Sequence, residues 1–151
     1  MDSKEMAPGD IERRSFEIIT ELLGNRVLDP ENELVIKRVI HTTADFDYAD
    51  NLTFSDHAVQ KGIAALKGGC DIVTDTQMAL SGISKPALKK LGCQAVCFMA
   101  DEDIAREAKA RETTRARVSM EHALVIPGSK LLVCGNAPTF LEPLENHADL
   151  K

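Results

Sequence analysis

The residues best suited to chemistry fall in a few short runs. The first is Ile40-His41-Thr42-Thr43-Ala44-Asp45-Phe46-Asp47. An imidazole changes charge near neutral pH, so His41 can donate or accept a proton there. The second run is Gly135-Asn136-Ala137-Pro138-Thr139, directly after an apolar segment. A strand-to-helix turn of this kind can aim backbone N–H groups and the Asn136 amide at a ligand, or serve as an ordinary turn. Asp75 closes the apolar run Ile72-Val73-Thr74, at the end of a strand where α/β proteins place chemistry. Arg115 and Arg117 follow Thr113-Thr114. A guanidinium there can clamp a carboxylate or phosphate through two parallel bonds, or lie as a surface charge. Ser15 offers a hydroxyl near the first turn of a helix. Taken alone, His41 suits a structural role as well as a catalytic one.

The common cofactor fingerprints are missing. The chain has no G-x-G-x-x-G after a strand, no G-x-x-x-x-G-K-[ST] and no H-E-x-x-H. Gly68-Gly69 precedes a strand, so it reads as a helix stop. Asp45, Asp47 and Asp50 lack the glycine and terminal glutamate of a calcium loop. His57, His122 and His147 lack the spacing of a zinc site. Ser15, Ser55 and Ser119 are not framed by a nucleophile elbow.

The elements that must position these groups follow from periodicity and punctuation. A first helix is expected over residues 11–23, stopped by Gly24. A second is expected over 31–42, with Asp29 as N-cap and Pro30 at its first position. Its β-branched and acidic ending, Thr42-Thr43-Ala44-Asp45, puts His41 near a helix C-terminus, where the dipole favours imidazolium. Residues 51–54 read as a short connection or an extended piece. Further helices are expected from Ser55 or Asp56 to residue 67, over 76–80, over 87–91 after Ser84, and over 101–122 with a break at Thr113-Thr114. Strands are expected over 71–75, 94–99 and 130–134, and a final helix near Pro138. Strands alternating with helices predict a parallel sheet covered by helices, joined by right-handed crossovers.

Composition limits the rest. The chain of 151 residues is expected to form one domain, over 1–151. Aromatic residues are only 4% of it, with one Tyr and no Trp, so the core must be aliphatic. A net charge of −6 opposes bulk nucleic-acid binding. No run of about 20 apolar residues is present for a membrane span, and the charged start is unlike a secretory signal. Cys70, Cys93, Cys97 and Cys134 form no C-x-x-C pair and read as buried free thiols. The expected compartment is the cytoplasm.

Together the motifs resemble the precorrin-8X methylmutase family, which includes cobalt-precorrin-8 methylmutases. The resemblance starts at Ser15-Phe16-Glu17-Ile18-Ile19 and runs through Arg38-Val39-Ile40-His41-Thr42-Thr43-Ala44-Asp45-Phe46-Asp47. It resumes at Leu52-Thr53-Phe54-Ser55, Ala58-Val59, Gly62, Asp75, Met78 and Gly82-Ile83. Thr114-Arg115 and Gly135-Asn136-Ala137-Pro138-Thr139 complete it.

The resemblance implies an isomerase that moves a methyl group from C-11 to C-12 of a corrin precursor. The methyl group is already on the substrate, so no cofactor is expected. His41 matches the family's catalytic histidine, expected to give a proton or hydrogen bond to the macrocycle. Ser15 and Arg115 match further polar active-site positions, with Arg115 holding a substrate carboxylate, and Thr42 and Asn136 are expected to bind the substrate beside them. Asp75 and Thr76 are expected to line the site. The implied fold is a flavodoxin-like three-layer α/β/α sandwich with a parallel sheet, in a homodimer. The implied partner is a corrinoid small molecule, with no nucleic acid and no membrane. Family members usually continue beyond the Gly-Asn-Ala-Pro-Thr run with more strands. The chain is therefore expected to be an incomplete form of that fold: a short paralogue, a frameshift product or a fragment. Phe140 stands where the family usually has alanine, and is expected to intrude on a pocket or fill a gap. Two further readings stay open: a tetrapyrrole-binding carrier without catalysis, and an interaction module that keeps only the fold.

Overall fold

Apolar side chains at helical spacing build the first helices. In the computed structural model, which describes residues 8–146, α1 spans Pro8–Leu23 and buries Ile19 and Leu23. Gly24 ends it in a left-handed conformation (φ 59°). The second helix, α2 (Glu33–Thr43), buries Ile36 and Ile40. It starts later than the sequence suggests. The Asp29 carboxylate accepts from the Glu31 N–H at 3.1 Å and the Asn32 side chain at 2.6 Å. Asp29 thus closes the Pro30-Glu31-Asn32 turn, and Asn32 becomes the N-cap. Ala44 (φ 56°) caps the far end, its N–H donating to Ile40 O at 2.8 Å. A short helix, α3 (Tyr48–Asn51), precedes the expected connection and was not legible in the sequence.

The described residues divide into two compact units, the first ending at Lys61 and the second starting at Gly62. The core of the first is Ile19, Leu23, Ile36 and Ile40, with Leu28, Phe46, Tyr48, Leu52 and Phe54 packed against it.

In the second unit, a three-stranded parallel sheet carries the order β2-β1-β3. The strands are β1 (Asp71–Thr74), β2 (Gln94–Val96) and β3 (Lys130–Val133). The helices are α4 (Ala58–Lys67), which crosses the division, α5 (Gln77–Gly82), α6 (Lys85–Leu91), α7 (Glu102–Ala110) and α8 (Arg115–Val125). Strand pleating sends alternate residues to opposite faces. Val73, paired with Val96 and Leu132, faces Ala116, Met120 and Ala123 of α8. Ile72, paired with Ala95 and Leu131, faces Ala65 and Leu66 of α4 and Leu88 of α6. Helices therefore cover both faces, giving the expected three-layer α/β/α arrangement. The strand order matches the start of the flavodoxin-like 2-1-3 sequence.

The break between α7 and α8 falls where the paired threonines stand. Thr114 is the N-cap of α8, its hydroxyl accepting from the Arg117 N–H at 3.1 Å. The helix expected near Pro138 is instead two 3-10 turns, Pro138–Phe140 and Glu142–Asn146. Leu144 and the fully buried Phe140 pack these turns onto the α8 face of the sheet. Phe140 is thus part of this core. Residues 1–7 and 147–151, including His147, lie outside the described residues. Among the described residues no helix is long and apolar enough to cross a membrane.

Candidate functional site

The first unit carries His41, Thr42 and Ser15. His41 lies in the last turn of α2 and is exposed. Its ring stands 5.6 Å from that of Phe16, tilted by 37°. The Arg38 guanidinium lies 4.8 Å from the Phe16 ring centre on the same pair of helices. Phe16 so forms an apolar backing next to the imidazole. Arg38 is tied to Glu12, and His41 has no ion pair among the described residues. Ser15 and Thr42 donate their hydroxyl protons to the helix backbone, to Ile11 O at 3.0 Å and Arg38 O at 2.9 Å. Each oxygen keeps lone pairs to accept from a ligand. Thr43 shapes the exit: it donates to Val39 O at 2.8 Å and accepts from the Asp45 N–H at 3.2 Å.

The second unit carries Asp75, Thr76, Arg115 and Asn136 at the carboxyl end of the sheet. Asp75 follows β1 and is fully buried. Its Oδ2 accepts the Asn136 N–H at 2.7 Å and the Ala137 N–H at 2.8 Å. Burial alone would raise this carboxyl's pKa. Hydrogen bonds from the backbone amides of Ala137, Gly135 and Asn136 outweigh it and hold the group below the usual carboxylate range. Among the described residues Oδ1 has no partner. It faces Gly135, where an added Cβ would lie 3.6 Å away. The Asn136 and Ala137 amides of the run that the sequence offers to a ligand are thus turned inward, onto an anion of the protein's own. The exposed Asn136 side chain is what the run presents outward. The Cys134 thiol lies beneath the run, donating to Ala137 O at 3.2 Å, and its pKa is raised by burial and by the Asp75 charge.

Thr76 also acts on backbone: its hydroxyl accepts from the Ala79 N–H at 3.2 Å and caps α5. Arg115 opens α8. One residue before it, Thr114 bonds Thr139 across a 3.4 Å hydroxyl contact, which brings the start of α8 to the Gly135–Thr139 run. Two other arginines are occupied. Arg111 reaches Glu107 at 2.7 Å and Glu121 at 2.5 Å, and Arg117 reaches Glu121 at 3.4 Å and Glu142 at 3.5 Å. Glu107 also meets His122 at 2.9 Å. This network braces α7 against α8 and fixes the helix that carries Arg115. Arg115 itself is exposed and has no ion pair among the described residues, so its guanidinium is open to a ligand.

The structure therefore brings Ser15, Phe16, His41 and Thr42 together in one unit, and Asp75, Asn136 and Arg115 in the other. Sequence reasoning missed Phe16 as the neighbour of His41, although the Ser15-Phe16 pair stood in the resemblance. It also missed Thr114 and Thr139 as the link between α8 and the loop. Among the described residues no group of three or more His, Cys, Asp or Glu is placed to hold a metal.

Comparison with known proteins agrees with the motif reading. The family described as precorrin-8X methylmutase matches residues 10–150. A cobalt-precorrin-8 methylmutase of Leptospira interrogans is 43% identical over 138 residues, covering 90% of this chain and 63% of that protein. The enzyme of the same description from Salmonella typhimurium is 42% identical, covering 93% of this chain and 70% of that protein. The crystal structure of a precorrin-8X methylmutase from Thermus thermophilus superposes with a TM-score of 0.81 at 33% identity, covering 93% of this chain and 68% of that one. The chain thus spans about two thirds of the length of these relatives. With a match that runs through both units and a shared fold at one-third identity, this chain belongs to the precorrin-8X methylmutase family.

Proposed function

We propose that this chain works as an isomerase of cobalamin biosynthesis, shifting a methyl group from C-11 to C-12 of precorrin-8X or cobalt-precorrin-8. The product is hydrogenobyrinic acid, or cobyrinic acid in the cobalt-first route. The two units are read as one family domain because the family match crosses their division without interruption. The observation that carries the reading is His41: an exposed imidazole in the last turn of α2, without an ion pair among the described residues and inside the stretch that the family matches.

In this reading His41 gives a proton or hydrogen bond to the conjugated macrocycle. Electron demand in the ring rises, and the methyl group migrates across one face with its bonding pair. The proton then returns to His41, so no methyl donor or redox partner is consumed. Phe16 offers an apolar surface beside the imidazole. Ser15 and Thr42 accept hydrogen bonds from the substrate. Arg115 binds a substrate carboxylate, and the Asn136 amide binds another polar group. Such local groups must offset the repulsion between a polycarboxylate and a chain of net charge −6. Asp75 and Thr76 contribute by shaping the loop and α5.

The same reading places the protein in the cytoplasm as a homodimer. The exposed side chains of Val27 and Leu34 supply apolar surface for such contacts.

The test is a labelled substrate. Precorrin-8 carrying a 13C-methyl group at C-11 is incubated with the purified chain, and the product is read by NMR. The reading requires the label at C-12 of the same macrocycle. A label that stays at C-11, whether or not the substrate binds, overturns it.

A further inference from the structure

Two of the four thiols are set side by side by a repeated piece of backbone. The helices α4 and α6 end in the same way. Gly69 (φ 78°) and Gly92 (φ 67°) adopt the left-handed conformation. The next residue in each case is a cysteine whose N–H turns back on the helix. Cys70 donates to Ala65 O at 3.2 Å, and Cys93 to Leu88 O at 3.0 Å. The glycine amides make the matching inner bonds, Gly69 to Leu66 O at 3.2 Å and Gly92 to Lys89 O at 3.4 Å. Both endings are Schellman motifs.

Each motif feeds directly into a strand. β1 begins at Asp71 and β2 at Gln94, and these two residues are register partners. Cys70 and Cys93 therefore sit one step ahead of a ladder pair on neighbouring parallel strands. The backbones are close there: a Cβ on Gly69 would lie 3.2 Å from Gly92 O. Neighbouring strands run about 4.8 Å apart, inside the roughly 4.4–6.8 Å between Cα atoms that a disulfide spans. Both thiols are buried in one apolar cluster with Ile72. Cys97 follows β2 and Cys134 follows β3, and these strands are separated by β1.

We propose that Cys70 and Cys93 form a reversible intrachain disulfide that fastens β1 to β2 when the protein meets a disulfide oxidant. One cysteine thiolate attacks a sulfur of the oxidant, which forms a mixed disulfide and releases one small thiol. The other cysteine thiolate attacks the protein sulfur of that mixed disulfide and releases the second small thiol. The two protein thiols lose two protons and two electrons, and the oxidant takes up both as two thiols. Burial pushes the Cys70 thiol up, and the neighbouring Cys93 adds to this. Thiolate is therefore scarce at neutral pH, and exchange quickens as pH rises. The link closes the segment that contains Asp75 and Thr76, so oxidation would stiffen the strand that enters the candidate site. The proposal stands apart from the methylmutase reading.

The test uses the reduced full chain and excess oxidised glutathione, at neutral and at alkaline pH. Remaining thiols are trapped with N-ethylmaleimide in denaturant, and mass and non-reducing tryptic peptides are read. The expected product has lost two hydrogens and keeps two trappable thiols. Its map contains one peptide pair joining Cys70 to Cys93, opened by dithiothreitol and formed faster at alkaline pH. Cys97→Ser and Cys134→Ser keep that pair, whereas Cys70→Ser and Cys93→Ser lose it. Four trappable thiols after exposure overturn the proposal. So does a link through Cys97 or Cys134, chains joined to one another, or a link that forms only as the native circular dichroism is lost. Cys93 and Cys97 share one tryptic peptide, Leu91–Arg106, so fragmentation of the joined wild-type pair, which shows which of them carries the N-ethylmaleimide, decides the matter even where a variant fails to fold.

Discussion

The buried carboxylate of Asp75 accepts the backbone N–H of Asn136 at 2.7 Å, across 61 residues of sequence. With the Ala137 N–H at 2.8 Å on the same oxygen, it ties the end of β1 to the loop after β3. Removing it orphans two amides at once. Asp75→Ala is expected to cost about 2–4 kcal/mol of stability, read by urea unfolding. Exchange of the Asn136 and Ala137 amides should speed up more than that of the strand amides. A loss below about 0.5 kcal/mol would mean that the loop is held elsewhere.

The same carboxylate sets an acid sensitivity. Its pKa in the folded chain lies below the unfolded value because the loop amides bind the charged form. The folded state therefore releases this proton more readily than the unfolded one. Its contribution is complete at neutral pH and is lost as pH falls through the carboxylate range toward the lowered folded value. Asp75→Asn should flatten that acid limb of the stability curve. An unchanged limb would assign it to other carboxylates.

Phe140 is fully buried between the sheet and α8, with Val73, Met120 and Ala123 around it. Truncation leaves a cavity there. Phe140→Ala should destabilise by about 3–5 kcal/mol. Phe140→Leu, which keeps most of the volume, should cost clearly less. Equal and small effects would place the ring outside the core.

Arg115 is the open arginine near the loop, where Arg111 and Arg117 are bound to glutamates. An exposed side chain without partners contributes little to folding, so Arg115→Ala should leave the melting temperature almost unchanged. Substrate binding should weaken by about tenfold or more, as for loss of a charge-assisted bond worth about 1.5–3 kcal/mol. The Arg115→Lys variant should recover part of it. Unaltered binding would remove Arg115 from the site.

What could be read from the sequence depended on how local the cause was. The Gly24, Gly92 and Thr114 boundaries were legible because one residue sets each of them. The three strands were legible because each is a short apolar run, and the middle one is buried on both faces, as Ile72 and Val73 show by pointing to opposite helices. Asp29 misled because its carboxylate serves the Pro30-Glu31-Asn32 turn just before the helix. Pro138 misled because the buried Phe140 holds its segment in short 3-10 turns instead of a longer helix. The residues of the candidate site were found by motif, but their geometry was not. Nothing local in Asp75 tells that it binds amides at 136 and 137, since that bond depends on strand order.

The most direct test of the central claim is the visible spectrum of precorrin-8, or its cobalt form, mixed with the wild-type chain and with His41→Ala. His41 is exposed, so the variant should fold like the wild type and still bind. The wild type should convert the chromophore to the product spectrum over time. The variant should show only a static shift, with turnover down by about 100-fold or more, as when a general acid is lost. A wild-type spectrum that never progresses, or a variant that converts at the wild-type rate, would contradict the assignment of His41 as the group that drives methyl migration.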